Sequence, residues 1–104
     1  MAAARTFGQV IVLKGHRTVV TDGKRVYVNT TGDSTLAKAG TGDILSGVLG
    51  ALLGQGMERF DAATLAVWLH GRAGELAGKK YGKRSALGRE VIECLATAIA
   101  EREE

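Results

Sequence analysis

The residues best suited to chemistry form one short run, Ala39-Gly40-Thr41-Gly42-Asp43-Ile44-Leu45-Ser46-Gly47. Glycines at 40 and 42, directly before an apolar periodic segment, free the backbone to turn its N–H groups toward one point. The head of the helix that follows adds partial positive charge. The product is an anion hole. Asp43, read as the first helical position, is then out of place for a passive phosphate site, because a carboxylate beside bound phosphate is repulsive unless it works as a base. The same residues also suit a tight turn with Asp43 as a plain helix cap, and the short pattern by itself leaves both readings open.

The elements that must position this run read as strands before it and helices after it. Val10-Ile11-Val12-Leu13 is a fully apolar, β-branched run of the kind buried in a parallel or mixed sheet, ended by Lys14-Gly15. Strands over 18–21 and 25–28 flank Asp22-Gly23-Lys24, where Asp-Gly supplies the positive φ angles of a hairpin turn. Residues 29–42 are small, polar and glycine-rich and lead into the first helix. On that helix Ile44, Leu45, Val48, Leu49, Leu52 and Leu53 share a face, and Gly54-Gln55-Gly56 stops it. A second helix is predicted from about Asp61, a candidate N-cap, through Leu65, Ala66, Leu69, Ala73 and Leu76 to near Gly78. A third starts near Ser85 and turns Val91, Ile92, Leu95, Ala96 and Ile99 inward.

Composition bounds what this arrangement can be. The chain has 104 residues, 45% of them apolar and 24% charged, which fits one ordinary folded domain and excludes a disordered tail or a collagen-like fibre. No apolar run approaches the ~20 residues of a membrane span, and residues 1–10 hold a charge and a glycine where an export signal would be unbroken. A soluble, cytoplasmic protein is the expectation. Its single cysteine, Cys94, cannot make an internal disulfide, and neither it nor His16 nor His70 belongs to a spaced metal-ligand set, so no metal site is predicted. The net charge of +3 is mild and scattered, and five aromatics offer no stacking platform, which argues against nucleic acid. Fifteen glycines and no proline are the unusual counts, and they direct attention to backbone placed close to something.

In wider context the chain resembles the carboxy-terminal part of the ADP/ATP-dependent NAD(P)H-hydrate dehydratases of the ribokinase-like superfamily. The matching residues are Val12-Leu13-Lys14-Gly15 with Thr18-Val19-Val20, then Asn29-Thr30-Thr31-Gly32, Leu36-Ala37 and Gly40-Thr41-Gly42-Asp43 with Ile44-Leu45-Ser46-Gly47. Leu52-Leu53-Gly54-Gln55-Gly56 and Leu69-His70-Gly71-Arg72-Ala73-Gly74 follow in order. The resemblance implies an α/β fold, part of a ribokinase-like three-layer domain: a strand plus a β-hairpin followed by three helices, with residues 1–104 as one unit of a larger domain. It implies an adenine-nucleotide site at Lys14, Gly15, His16, Arg17 and Thr18, nucleotide phosphate at Gly40, Thr41 and Gly42, and Asp43 meeting the hydrated nicotinamide as both substrate contact and catalytic base. The implied cofactor is ADP or ATP with Mg2+, and the implied activity is repair of hydrated NADH or NADPH. The sequence departs from the family at Asp33, where asparagine is usual.

Two other readings stand beside that one: a ribokinase-like small-molecule kinase, which shares the anion hole and the aspartate, and a non-catalytic nucleotide-binding or assembly fragment. Three strands and three helices make a poor closed unit, because helices on one side leave the 10–13 run needing cover on the other. Self-association or a complementary chain is therefore expected. His70 and Cys94 are read as packed core residues. Lys38 is read as solvated, and Lys79, Lys80, Lys83 and Arg84 as a solvated basic connection.

Overall fold

Backbone chemistry sets the turns that organise the sheet. Gly8 takes a φ of +67° and, with Gln9, makes a two-residue connection that returns the chain on itself, pairing Phe7 with Val10. The strands so joined are β1 (Ala3–Phe7) and β2 (Val10–Lys14). A second hairpin joins β3 (Val19–Thr21) to β4 (Val26–Val28) through Asp22–Arg25. Here Gly23 alone has a positive φ (+92°), and Asp22 shapes the turn instead by accepting from the backbone N–H groups of Lys24 (3.0 Å) and Arg25 (2.7 Å). The computed structural model describes residues 3–14, 17–32, 41–82 and 88–103. Among them the sheet has four strands in the order β1-β2-β3-β4, each pair antiparallel.

Two expectations change at this level. The sheet gains β1, a strand that the sequence reading did not contain. The run 10–13 lies in an antiparallel sheet and is covered on one face only: Val10 and Val12 are buried, whereas Ile11 and Leu13 are each 38% exposed.

Three helices follow, α1 (Thr41–Gly54), α2 (Arg59–Tyr81) and α3 (Gly88–Glu103). Glu58, not Asp61, caps α2: its carboxylate accepts from the N–H groups of Phe60 (3.0 Å) and Asp61 (3.2 Å). Arg25 of the β3–β4 turn donates to that same carboxylate at 3.1 Å and lies 4.3 Å from the centre of the Phe60 ring, so the hairpin is stapled to the head of α2. At its other end α2 runs past the expected Gly78 to Tyr81, with Gly82 (φ +85°) closing it.

Helix α2 is the central element, and its residue sizes explain why. Ala62, Ala63, Ala66, Ala73 and Ala77 are fully or almost fully buried, which lets β2, β3, α1 and α3 approach its axis closely. One apolar cluster joins Val10, Val12 and Val20 of the sheet to Leu45 and Leu49 of α1 and to Phe60, Ala63 and Val67 of α2. A second gathers Leu69, Ala73 and Ala77 of α2 with Val91, Cys94 and Ala98 of α3. The inward face of α3 is thus the 91, 94, 95, 98 stripe. Ile92, Ala96 and Ile99, expected inside, are exposed, with Ile92 at 55%. Arg72 fastens the pair, donating to Glu101 (2.6 Å) across the helices and to Glu75 (3.2 Å) along α2. His70 and Cys94 are buried, as the packed-residue reading has them.

Candidate nucleotide site

Topology decides which loops can meet. In an antiparallel sheet β2 and β4 run in the same direction, so their carboxy-terminal ends emerge at one end of the sheet. The turns at Gly8 and Asp22–Arg25, with Glu58, occupy the opposite end. Lys14 is the last residue of β2 and is half-buried; Arg17 is exposed, and Thr18 is half-buried as the chain enters β3. Asn29 follows β4 and joins the two connections directly, its N–H donating to the carbonyl of Thr18 at 2.8 Å. Gly15 and His16 lie outside the described residues.

The other half of the predicted site heads α1. Thr41 is the first helical residue, so Gly42 and Asp43 fall second and third, inside the first turn, where backbone N–H groups have no partner within the helix. This corrects the sequence reading, which made Asp43 the first helical position, and it removes the plain N-cap alternative, since a cap precedes the helix. Gly40 lies outside the described residues, as do Asp33, Leu36, Ala37 and Lys38. One residue further on, Ile44 packs against the cluster that Leu69, Ala73 and Ala77 of α2 form with Val91, Cys94 and Ala98 of α3.

Two residues to which sequence reasoning assigned no role, Asn29 and Thr31, stand between these halves in chain order. Asn29 is 4% exposed, and its amide makes a closed set of hydrogen bonds. Its Nδ2 donates to the carbonyl of Val67 (3.1 Å) and to Thr31 Oγ1 (3.0 Å), while its Oδ1 accepts from the Tyr27 hydroxyl (2.9 Å). Burial pushes the Tyr27 phenol above its ordinary value, which keeps that donor protonated. Thr31 Oγ1 in turn donates to the carbonyl of Trp68 at 2.9 Å. Gly71 permits the approach, for a Cβ there would stand 2.8 Å from the carbonyl carbon of Thr31. The sequence did carry a signal in Asn29-Thr30-Thr31-Gly32, a run of side chains apt to bond backbone directly after a strand.

Comparison with known proteins assigns this framework. A chain of the Bacillus subtilis ADP/ATP-dependent NAD(P)H-hydrate dehydratase, co-crystallised with ATP/Mg2+, superposes with a TM-score of 0.82 and 34% identity, covering 88% of this chain and 34% of that one. The fold is ribokinase-like. Residues 1–96 match the NAD(P)H-hydrate dehydratase family, and the chain belongs to it. Among relatives, the ADP-dependent (S)-NAD(P)H-hydrate dehydratase of Natrialba magadii is 47% identical over 93 residues, 88% of this chain and 35% of its own length. That of Neisseria meningitidis is 44% identical over 82 residues, 78% and 28%. The bifunctional NAD(P)H-hydrate repair enzyme of Moorella thermoacetica is 40% identical over 103 residues, 97% of this chain and 19% of its own length. The chain therefore spans between about a sixth and about a third of the length of the curated relatives it matches. Among the described residues no helix is long and apolar enough to cross a membrane.

Proposed function

We propose that this chain carries the phosphate-binding loop and the catalytic aspartate of a nucleotide-dependent dehydratase that returns hydrated NADH or NADPH to the normal cofactor. The observation that carries the reading is the position of Asp43 within the first turn of α1, one residue after Gly42, in a chain of this family. The first turn of a helix carries backbone N–H groups without intrahelical partners and the positive end of its dipole, and in our reading the Asp43 carboxylate works beside them.

The chemistry follows from leaving-group strength. Hydroxide departs poorly from the hydrated ring, whereas a phosphorylated oxygen departs readily. In our reading Asp43 takes the proton of the substrate hydroxyl as its oxygen attacks the terminal phosphoryl group of ATP or ADP. The P–O bond to the shortened nucleotide breaks, and the N–H groups at the head of α1 hold the negative charge that develops. The ring then expels phosphate and loses a neighbouring C–H proton, which restores the double bond. Lys14 to Thr18 hold the adenine nucleotide, with Gly40, Thr41 and Gly42 at its phosphates. Mg2+, which accompanies ATP in the related Bacillus subtilis structure, would accompany the nucleotide here. When bound it neutralises phosphate charge.

The outer face of the sheet belongs to the same reading. Ile11, Leu13, Val26 and Val28 lie open there, and the related structure is about three times longer than the part this chain covers. We take the cover in the working enzyme to be the remainder of the dehydratase domain, as complementary chain, in preference to a second copy of residues 1–104. Sedimentation of this chain alone separates the two, a symmetric dimer being the result against us.

Titration with ADP and ATP, each with Mg2+, followed by NMR at the backbone amides, tests the site. Saturable shifts at residues 40–43 are expected, and no shift there at millimolar nucleotide contradicts the assignment.

A further inference from the structure

Two constraints cross at Asn29. Its N–H donates to the Thr18 carbonyl at 2.8 Å, one rung beyond the Val19–Val28 pair, so the β3–β4 ladder reaches as far as Thr18. Ladder bonds lie within the sheet, so this one sets Thr18 beside the end of β4. The side chain of Asn29 leaves the sheet instead, and its Nδ2 donates to the Val67 carbonyl of α2 at 3.1 Å. One residue thus fixes the same rung both along the sheet and against the buried helix.

The inner face of the hairpin shows why an amide stands there. Side chains alternate along a strand, so Tyr27 and Asn29 share the face that Val20 and Thr18 present from β3. Packing holds the rung of Val20 and Tyr27: Val20 is fully buried, and Tyr27 lies against the same apolar cluster. The rung of Thr18 and Asn29 brings no large apolar side chain to α2, yet Asn29 is only 4% exposed. Hydrogen bonds do there what packing does at the other rung. Tyr27 donates to Oδ1 at 2.9 Å, and Nδ2 also reaches Thr31 Oγ1 at 3.0 Å, so the plane of the amide is set from both sides. A buried polar group with its bonds made is rigid and specifies one arrangement.

We propose that Asn29 is a positioning residue for the adenine-nucleotide segment, acting through Thr18, which it holds in register with α2 by tying their common rung to the Val67 carbonyl. The proposal rests on the nucleotide reading above, in which Thr18 closes the segment that begins at Lys14. Asn29→Leu keeps the size and the burial of the side chain and removes its hydrogen bonds. The backbone 15N order parameter of Thr18 is expected near the rigid value of about 0.85 in the unaltered chain and below about 0.6 in Asn29→Leu, with Val20 and α2 unchanged. ADP affinity, read from amide shifts, is expected to fall about fivefold to tenfold, the scale of one lost hydrogen bond. Val91→Ala, a fully buried site on α3, separates positioning from general loss of stability. It is expected to unfold more easily while keeping Thr18 rigid and ADP affinity within about twofold. If Asn29→Leu does not fold, Asn29→Ala removes the same bonds and carries the same expectation. A rigid Thr18 without the amide, a mobile Thr18 with ADP affinity unchanged, or an equal effect in Val91→Ala overturns the proposal. A lack of ADP binding by the unaltered chain overturns the nucleotide reading instead, and the order parameters still decide whether Asn29 holds Thr18.

Discussion

The two faces of the sheet are made of the same kinds of residue and live in different surroundings. On the inner face Val10, Val12 and Val20 are at most 3% exposed, packed against Leu45, Leu49 and the alanines of α2. On the outer face Ile11, Leu13, Val26 and Val28 are between 38% and 67% exposed. A strand with one solvated face alternates apolar with polar, whereas Val10-Ile11-Val12-Leu13 is apolar throughout, the pattern of a strand covered on both sides. The residues thus specify two covers, and the described helices supply one. The difference separates the face that this chain buries for itself from the face whose apolar residues stand open among the described residues.

Substitution on the inner face breaks the comparison most strongly. Val20 is 0% exposed, and Val20→Ala is expected to destabilise the chain by about 2–3 kcal/mol, through lost transfer energy plus a cavity, as a shift in the denaturation midpoint. A smaller effect comes from the polar staple at the turn end of the sheet. Hydrogen bonds from the backbone and from Arg25 hold the Asp22 carboxyl below its usual 3.8, and Arg25 holds Glu58 below its usual 4.5. With both carboxyls more acidic in the folded chain, the unfolded chain binds more protons as the pH falls. Their support is therefore complete above the usual values and is lost on acidification below them. An acid titration of stability should show this loss, and Glu58→Gln should flatten it. The smallest effect belongs to the outer face. Val26, 67% exposed, is expected to tolerate Val26→Thr within about 0.5 kcal/mol in this chain. Once the outer cover is in place the same substitution should cost more, and equal costs in both settings would remove the argument for a second cover.

Local signals made much of this fold legible. The β3–β4 hairpin follows from β-branched runs around Asp22-Gly23, and α1 from the spacing of Ile44, Leu45, Val48 and Leu49. Strand β1 was not legible, because Ala3-Ala4-Arg5 has little strand preference and Gly8-Gln9 is a weak turn signal. On α3 two apolar stripes compete, Val91-Leu95-Ala98 and Ile92-Ala96-Ile99, and only packing against α2 selects the first. Arg25, which donates to the Glu58 carboxylate that caps α2, lies 33 residues earlier in the chain, and the bonds of Asn29 and Thr31 to α2 span 38 and 37 residues. No short window contains such pairs. For the candidate site, the glycine-rich run before α1 could be singled out directly, whereas the bonds of Asn29 and Thr31 to α2 could be found only after the fold brought the end of β4 and α2 together.

The central claim is that Asp43 is a base at a phosphate-binding helix head, and Asp43→Asn in the turnover-competent protein tests it most directly. Both nucleotide affinity and turnover of hydrated NADH should be measured. Removing a negative charge beside phosphate should leave nucleotide affinity unchanged or improved, while turnover falls by the ~10²–10⁴-fold that loss of a general base brings. Near-normal turnover by Asp43→Asn would contradict the account.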